Sequence, residues 1–223
     1  MRVAGIVLAA GAGRRFGGPT KQAALVGGRP LVARAVEAAC ASRQLDEVVV
    51  VVGSQADEVR AVLRSSLGTS LGQTLGQGPG HPLRCGSGRH RIVHCGGWAE
   101  GIAASLRRGL EEVGDVDAAL VLLADQPLVT AELVALVLRE GLPGLGVRHE
   151  VARPFHERIP GHPVLLGRSA IQRARTLQGD RGLGPVIARR RMRAIPVDGV
   201  GATLDVDQPA DLVAAERAFA IGA

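Results

Sequence analysis

No tyrosine occurs among the 223 residues of this chain, and three phenylalanines and one tryptophan are its only other aromatic residues of that class. Lysine is nearly as scarce, with Lys21 alone against 26 arginines. So few aromatics leave no stacking platform for unpaired bases. The formal net charge is +6, but the arginines behind it are scattered over every segment. A nucleic-acid partner is therefore not expected, and the one dense patch, Arg189 to Arg193, reads as a solvated helix face. Long apolar runs are missing too. None approaches the roughly 20 residues of a membrane span. The apolar start from Val3 to Ala10 is broken by Gly5 and runs into a glycine-rich loop, unlike a signal peptide. Three cysteines at irregular spacing make no disulfide framework and point to a reducing compartment. The expectation is a cytoplasmic protein with no membrane partner.

What is present has the composition of a globular protein, 46% hydrophobic and 22% charged. The length suits one α/β domain spanning 1–223. Val3–Leu8, Glu47–Val52 and Ala118–Leu123 are continuous apolar runs of strand length. Between them, Leu31, Val32, Ala35, Val36 and Ala39 recur at helical spacing, as do Ile102, Ser105, Leu106, Gly109 and Leu110. Ser54 and Thr130 are placed to cap helices reaching about Arg64 and Leu138. The glycine-rich stretch 65–88 reads as a flexible loop. Arg91–Cys95, His162–Leu165 and Arg193–Val197 are shorter strand candidates, Ser169–Leu177 a helix, and Gly141–Gly161 loop with a short strand. Pro209 sits where a closing helix would begin. Such alternation predicts a three-layer α/β fold, a mostly parallel sheet with helices on both faces. Ligands then bind at the carboxyl ends of the strands.

The first strand leads into Leu8-Ala9-Ala10-Gly11-Ala12-Gly13-Arg14-Arg15-Phe16-Gly17, with Lys21 four residues beyond. Small residues let backbone N–H groups close around an anion. The P-loop is excluded because Lys21 follows Thr20 and precedes Gln22, and a dinucleotide fingerprint fits poorly because its third glycine falls one residue late. Asp125, just past a strand, is a natural ligand for a hard cation. Asp205 and Asp207 share a face if extended; Asp207 is preferred as second ligand, with helix capping near Pro209 as its rival role. His81, Cys85, His90, His94 and Cys95 belong to none of these motifs and have the side-chain types of a zinc site.

These segments resemble the nucleotidyltransferases that build the molybdenum cofactor, in particular the molybdenum cofactor cytidylyltransferase family. Leu8–Gly17 with Lys21 is similar to its L-A-A-G-x-(S/G)-x-R-(M/F)-G signature. Trp98–Leu106 resembles its W-A-E-G helix start, and Leu123–Thr130 its A-D-Q-P turn. Gly161–Leu165 resembles G-H-P-V-L, Gly179–Gly182 resembles G-D-x-G, and Asp205–Leu212 the closing D-x-D-x-P-x-D-L. The resemblance implies a Rossmann-like nucleotidyltransferase fold and Mg²⁺-dependent transfer of CMP from CTP to an anionic phosphorylated acceptor, molybdopterin-bound molybdenum. Guanylyl transfer and other cytidylyl or sugar-phosphate transfers are alternatives, as is a non-catalytic accessory protein serving a molybdoenzyme. Leu8 to Gly13 and Ser105 would then hold the nucleotide. Arg15, Lys21 and Asp125 would be catalytic, Asp125 and Asp207 would bind the metal, and His162, Asp180 and Arg181 would face the acceptor. Ala10 is the cue for cytidine, because guanylyl-transferring relatives tend to carry L-A-G-G there.

Overall fold

The computed structural model describes residues 1–17, 20–67, 83–85, 88–187 and 191–222. In chain order these form β1 (Val3–Ala9), β2 (Leu25–Val26), β3 (Arg29–Pro30), α1 (Leu31–Cys40), β4 (Glu47–Val52), α2 (Ala56–Leu67), β5 (Leu83–Cys85) and β6 (Gly88–His94). There follow α3 (Ile102–Val113), β7 (Ala118–Leu123), α4 (Ala131–Gly141), β8 (Val151–His156), β9 (Ile159–Pro160) and β10 (Val164–Gly167). The chain closes with α5 (Arg168–Ala174), α6 (Gly184–Ile187), β11 (Met192–Pro196) and α7 (Pro209–Ile221).

Among the described residues nine strands make one sheet, in the order β11-β8-β10-β7-β1-β4-β6-β5 with β9 beside β8, while β2 and β3 pair separately. Strands β6, β4, β1, β7, β8 and β11 run one way; β10, β5 and β9 run the other. This is the expected mostly parallel α/β sheet. Its central strands are apolar on both faces because helices cover both. On β1, Val3, Val7 and Ala9 pack toward α1, α2 and α4, whereas Ala4, Ile6 and Leu8 pack toward α3 and α5. Strands β4 and β7 alternate in the same way. Burying each Ile6 or Leu120 side chain, both fully enclosed, stabilises the fold by roughly 1.5–3 kcal/mol. A third, smaller cluster of Phe16, Val26, Leu31, Leu128, Val206 and Ala215 lies beneath the loop after β1 and fastens α7 to it.

Several boundaries move. Helix α2 runs three residues past Arg64, so Ser65–Leu67 are helical and not loop; 83–85 and Gly88 are in strands; the rest of the expected 65–88 loop lies outside the described residues. Strand β8 occupies six residues where mostly loop was read. Arg193 belongs to β11 rather than to a helix face, and positions 188–190 of the arginine patch lie outside the described residues. Cys40 is disulfide-bonded, against the expectation that the cysteines make no disulfide framework, and Cys95 is free and buried. No helix among the described residues is long and apolar enough to cross a membrane.

Candidate functional site

Strand β1 runs parallel to both neighbours, so the loop after Ala9 leaves the sheet between the carboxyl ends of β4 and β7. Gly13 turns it with φ +59°, and the Phe16 N–H donates to the Gly13 carbonyl at 2.8 Å. A Cβ at Gly13 would lie 2.9 Å from Lys21 Cβ, so the glycine is needed for room as well as for its backbone angle. Lys21 follows in a single helical turn, Lys21–Ala23. The Gln22 side-chain amide, buried beside it, donates to the Gly11 carbonyl at 3.0 Å and fixes the loop from below.

Lys21 is the pivot of the site. Its Nζ donates to Asp125 Oδ2 at 2.9 Å and to Asp207 Oδ1 at 2.8 Å, bridging residues from two distant segments. Arg15 Nη2 donates to the other Asp207 oxygen at 3.0 Å. Burial pulls the Lys21 pKa down, but the charge of Asp125 and the hydrogen bonds to Asp207 and Asp125 outweigh it and leave the value above that of an ordinary lysine. The hydrogen bond from Lys21 holds the Asp207 carboxyl below the usual range despite partial burial, and Arg15 adds to the effect. Asp205 goes the other way. Partial desolvation raises its pKa, with the charges of Asp125 and Asp207 adding, although a hydrogen bond from Gln126 opposes the rise.

The cleft above Lys21 has a volume of about 410 Å³. Leu8, Ala10, Gly11, Ala12 and Gly13 form one wall, and Arg15, Lys21 and Asp125 line it beside them. The opposite wall is the start of α3, with Trp98, Ile102 and Ser105, and Asp180 closes one side. Gly101 makes that closure possible: a Cβ there would strike the Gly179 carbonyl at 2.5 Å and Asp180 Oδ1 at 2.6 Å. A glycine-lined loop, three cations (Arg14, Arg15 and Lys21) and two carboxylates (Asp125 and Asp180) on one cleft form a setting for anionic phosphates whose charge must be balanced.

The profile of MobA-like NTP transferase domains matches residues 5–195. The chain belongs to this family. No curated protein matches the sequence. Among solved structures, Rv0371c from Mycobacterium tuberculosis H37Rv is similar over 97% of this chain and 98% of its own, at 24% identity and a TM-score of 0.74. A manganese complex of Rv0371c gives 22% identity and 0.70, covering 97% and 99%. Its homolog from Mycobacterium sp. strain JC1 is 27% identical, with coverages of 97% and 99% and a TM-score of 0.70. A nucleotidyl transferase from Methanothermobacter is 18% identical, covers 100% and 99%, and scores 0.72.

As a MobA-like NTP transferase the protein is a nucleotidyltransferase, and the fold brings most of the residues singled out by sequence to one place. Ala9 is buried against α1 and does not line the cleft. Asp207 joins the site through Lys21 and Arg15. Its rival capping role falls to others: Gln208 and Asp211 cap α7, and Asp211 Oδ2 accepts from the Asp207 N–H at 2.8 Å. His162 and Arg181 lie outside the cleft lining. The register pairing Val164 with Val121 brings His162 level with Leu123, two residues before Asp125. The zinc reading does not gather. His90 and His94 fall on one face of β6, and Cys95 packs on the other; His81 and the Cys85 side chain lie outside the described residues. Among the described residues no group of three or more His, Cys, Asp or Glu side chains could hold a metal ion. Sequence reasoning gave no site role to Trp98, Ile102 or Gln22, although all three line the cleft. The W-A-E-G segment was the available signal for the first two.

Burial, with the Arg153 guanidinium adding, pushes His162 down to about 3, and burial pushes His90 down to about 4. Both are depressed below the roughly 6.5 of an unfolded histidine. Below that value the unfolded chain takes up protons that the native imidazoles refuse, so stability falls as pH drops from 6.5 toward 4. Urea unfolding across that range should show the loss, and NMR of the two rings should show neutral imidazoles down to pH 5. A His162 ring titrating near 6.5 would contradict that depression.

Proposed function

We propose that this nucleotidyltransferase moves CMP from CTP onto a phosphorylated acceptor of the molybdopterin type, in one catalytic domain spanning 1–223 and in the cytoplasm. The observation that carries the reading is the Lys21 bridge between Asp125 and Asp207 beneath a glycine-lined wall. In the reaction an acceptor phosphate oxygen attacks the α-phosphorus, the bond to the β-phosphate oxygen breaks, and pyrophosphate leaves with the electron pair. Both reactants are anionic, so alignment and charge neutralisation do most of the work. The N–H groups of Ala10 to Gly13 cradle the triphosphate, and Lys21 and Arg15 offset charge at the α-phosphate and the leaving group. Ser105 borders the nucleotide, and His162, Asp180 and Arg181 lie toward the acceptor.

A divalent metal fits this site. Asp125 Oδ1 is buried without a hydrogen-bond partner among the described residues, and carboxylate oxygens are the donors a hard cation takes. Asp125 and Asp207 would hold it, and when bound it supplies further positive charge at the reacting phosphates. The manganese complex of Rv0371c supports a divalent ion, and Mg²⁺ is the cellular candidate. Ala10, in L-A-A-G, supports cytidine. The test is pyrophosphate release with each of the four nucleoside triphosphates, Mg²⁺ and molybdenum cofactor. CTP-dependent release is expected. Preference for GTP would overturn the cytidine assignment, and release only with other phosphorylated acceptors would overturn the acceptor.

A further inference from the structure

Two aspartates, Asp205 and Asp207, approach the cleft from the same short segment, and the structure separates their roles. The carboxylate of Asp207 is engaged by Lys21 and Arg15. That of Asp205 is engaged elsewhere: Gln126 Nε2 donates to Asp205 Oδ1 at 2.6 Å. Gln126 is only 2% exposed, directly follows Asp125, and is held in its turn by its own N–H, which donates to the Leu123 carbonyl at 3.3 Å. Residues 204–207 belong to no strand, so no ladder of backbone hydrogen bonds sets where Asp207 sits. Their attachments are few. The Val206 N–H donates to the Asp125 carbonyl at 2.9 Å, the Val206 side chain is fully buried in the cluster with Phe16 and Leu128, and Asp211 accepts from the Asp207 N–H. The Gln126–Asp205 bond is a direct side-chain hydrogen bond between this segment and the Asp125 turn.

We infer that Gln126 and Asp205 are a positioning pair: their hydrogen bond holds the 205–207 segment so that Asp207 faces Asp125 across a shared cation. Asp205 acts as an acceptor for the Gln126 amide and not as a ligand. A donor to an ionised acceptor is among the stronger hydrogen bonds, and supports behind metal-binding carboxylates typically affect affinity by about 10–100-fold. The inference rests on the proposed assignment of Asp125 and Asp207 to a divalent ion.

The two roles for Asp205 predict different outcomes for its asparagine variant, because Asp205→Asn keeps the acceptor oxygen and loses the charge. Five proteins decide it: wild type, Asp205→Asn, Asp205→Ala, Gln126→Leu and the double variant Gln126→Leu/Asp205→Ala. The readouts are Mn²⁺ affinity by electron paramagnetic resonance, the kcat and KM of pyrophosphate release, and hydrogen exchange at the Val206 amide. Asp205→Ala and Gln126→Leu should each weaken Mn²⁺ binding by about 10–100-fold, lower kcat with little change in the KM for nucleotide, and speed exchange at Val206. Asp205→Asn should stay near wild type in all three. The double variant Gln126→Leu/Asp205→Ala should lose no more than either single variant, since one bond is removed in each case. Loss in Asp205→Asn as deep as in Asp205→Ala overturns the inference in favour of ligation by the charge, as does a silent Gln126→Leu. If wild type bound no Mn²⁺, the metal assignment would fall, and Val206 exchange would still decide whether the pair holds the segment. Should the alanine variant fail to fold, Asp205→Asn against Gln126→Leu gives the same decision.

Discussion

Lys21→Arg should lower kcat/KM by about 10²–10³-fold, the scale of losing one well-placed charge-stabilising group, while leaving the protein folded. The charge survives this substitution, so the effect has to come from shape. Lys21 is 7% exposed, its ammonium lies within 3 Å of two carboxylates, and its stem touches the Gly13 turn closely enough that even an added Cβ would sit 2.9 Å away. A planar guanidinium is wider and fans its donors in a fixed fork. In a space this tight it displaces the glycine loop or turns away from one aspartate. Overpacking costs about 1–3 kcal/mol, which the rest of the core can absorb. Steady-state pyrophosphate release beside a thermal melt measures both parts. Near-normal turnover would mean that the one lysine among 27 basic residues survives there by chance.

Asp125→Asn should have an effect of similar size through charge instead of shape. The two side chains are nearly the same volume, and asparagine can still accept from Lys21. What disappears is a negative charge facing an ammonium in a partly enclosed site, together with the carboxylate proposed as a metal ligand. Turnover should fall by about 10²–10³-fold, and the Lys21 pKa should move down, because the attraction of Asp125 is the largest influence raising it. The cost in stability should be well below the about 3–5 kcal/mol of breaking a fully buried pair, since the Asp125 side chain is 32% exposed. Nucleotide binding should persist, and the single tryptophan, Trp98, lines the cleft and can report it by fluorescence. Metal titration followed by the same signal separates the two losses. Retained Mn²⁺ affinity with normal turnover would remove Asp125 from the site chemistry.

The central strands were legible because their chemistry is unambiguous. Glu47–Val52 is one acid followed by five valines, and a segment that apolar must be covered on both faces. Thr130 caps α4 as read, accepting from the Leu133 N–H at 3.2 Å. Strand β8 was hidden by its own sequence: Val151–His156 carries Arg153 and Pro154, and a proline inside a run argues against a strand. It survives close to the edge of the sheet, where β11 and β10 flank it for only part of its length. The direction of β10 was also beyond reach, since an apolar tetrad reads the same parallel or antiparallel. In the site, the glycines, Arg15, Lys21 and Asp125 were visible as a motif. The choice between Asp205 and Asp207 was not, because a two-residue spacing puts both on one face; what separates them is that Lys21 and Arg15 reach Asp207 while Gln126 reaches Asp205. The Lys21 bridge to the two acids was also unforeseen, since a phosphate was its expected counter-ion.

The contact between Lys21 and Asp207 joins residues 186 positions apart. During synthesis the glycine loop and Lys21 leave the ribosome early, and Asp125 follows well after. The nascent chain then holds the glycine loop and its cations but lacks the segment that sets the opposing carboxylate. Only when 205–211 emerges, with Val206 seating beneath Phe16 and Asp211 capping the last helix, does the cleft acquire its full set of charges. The full charge set is thus tied to completion: a chain truncated before that segment lacks the carboxylate that accepts from both Lys21 and Arg15.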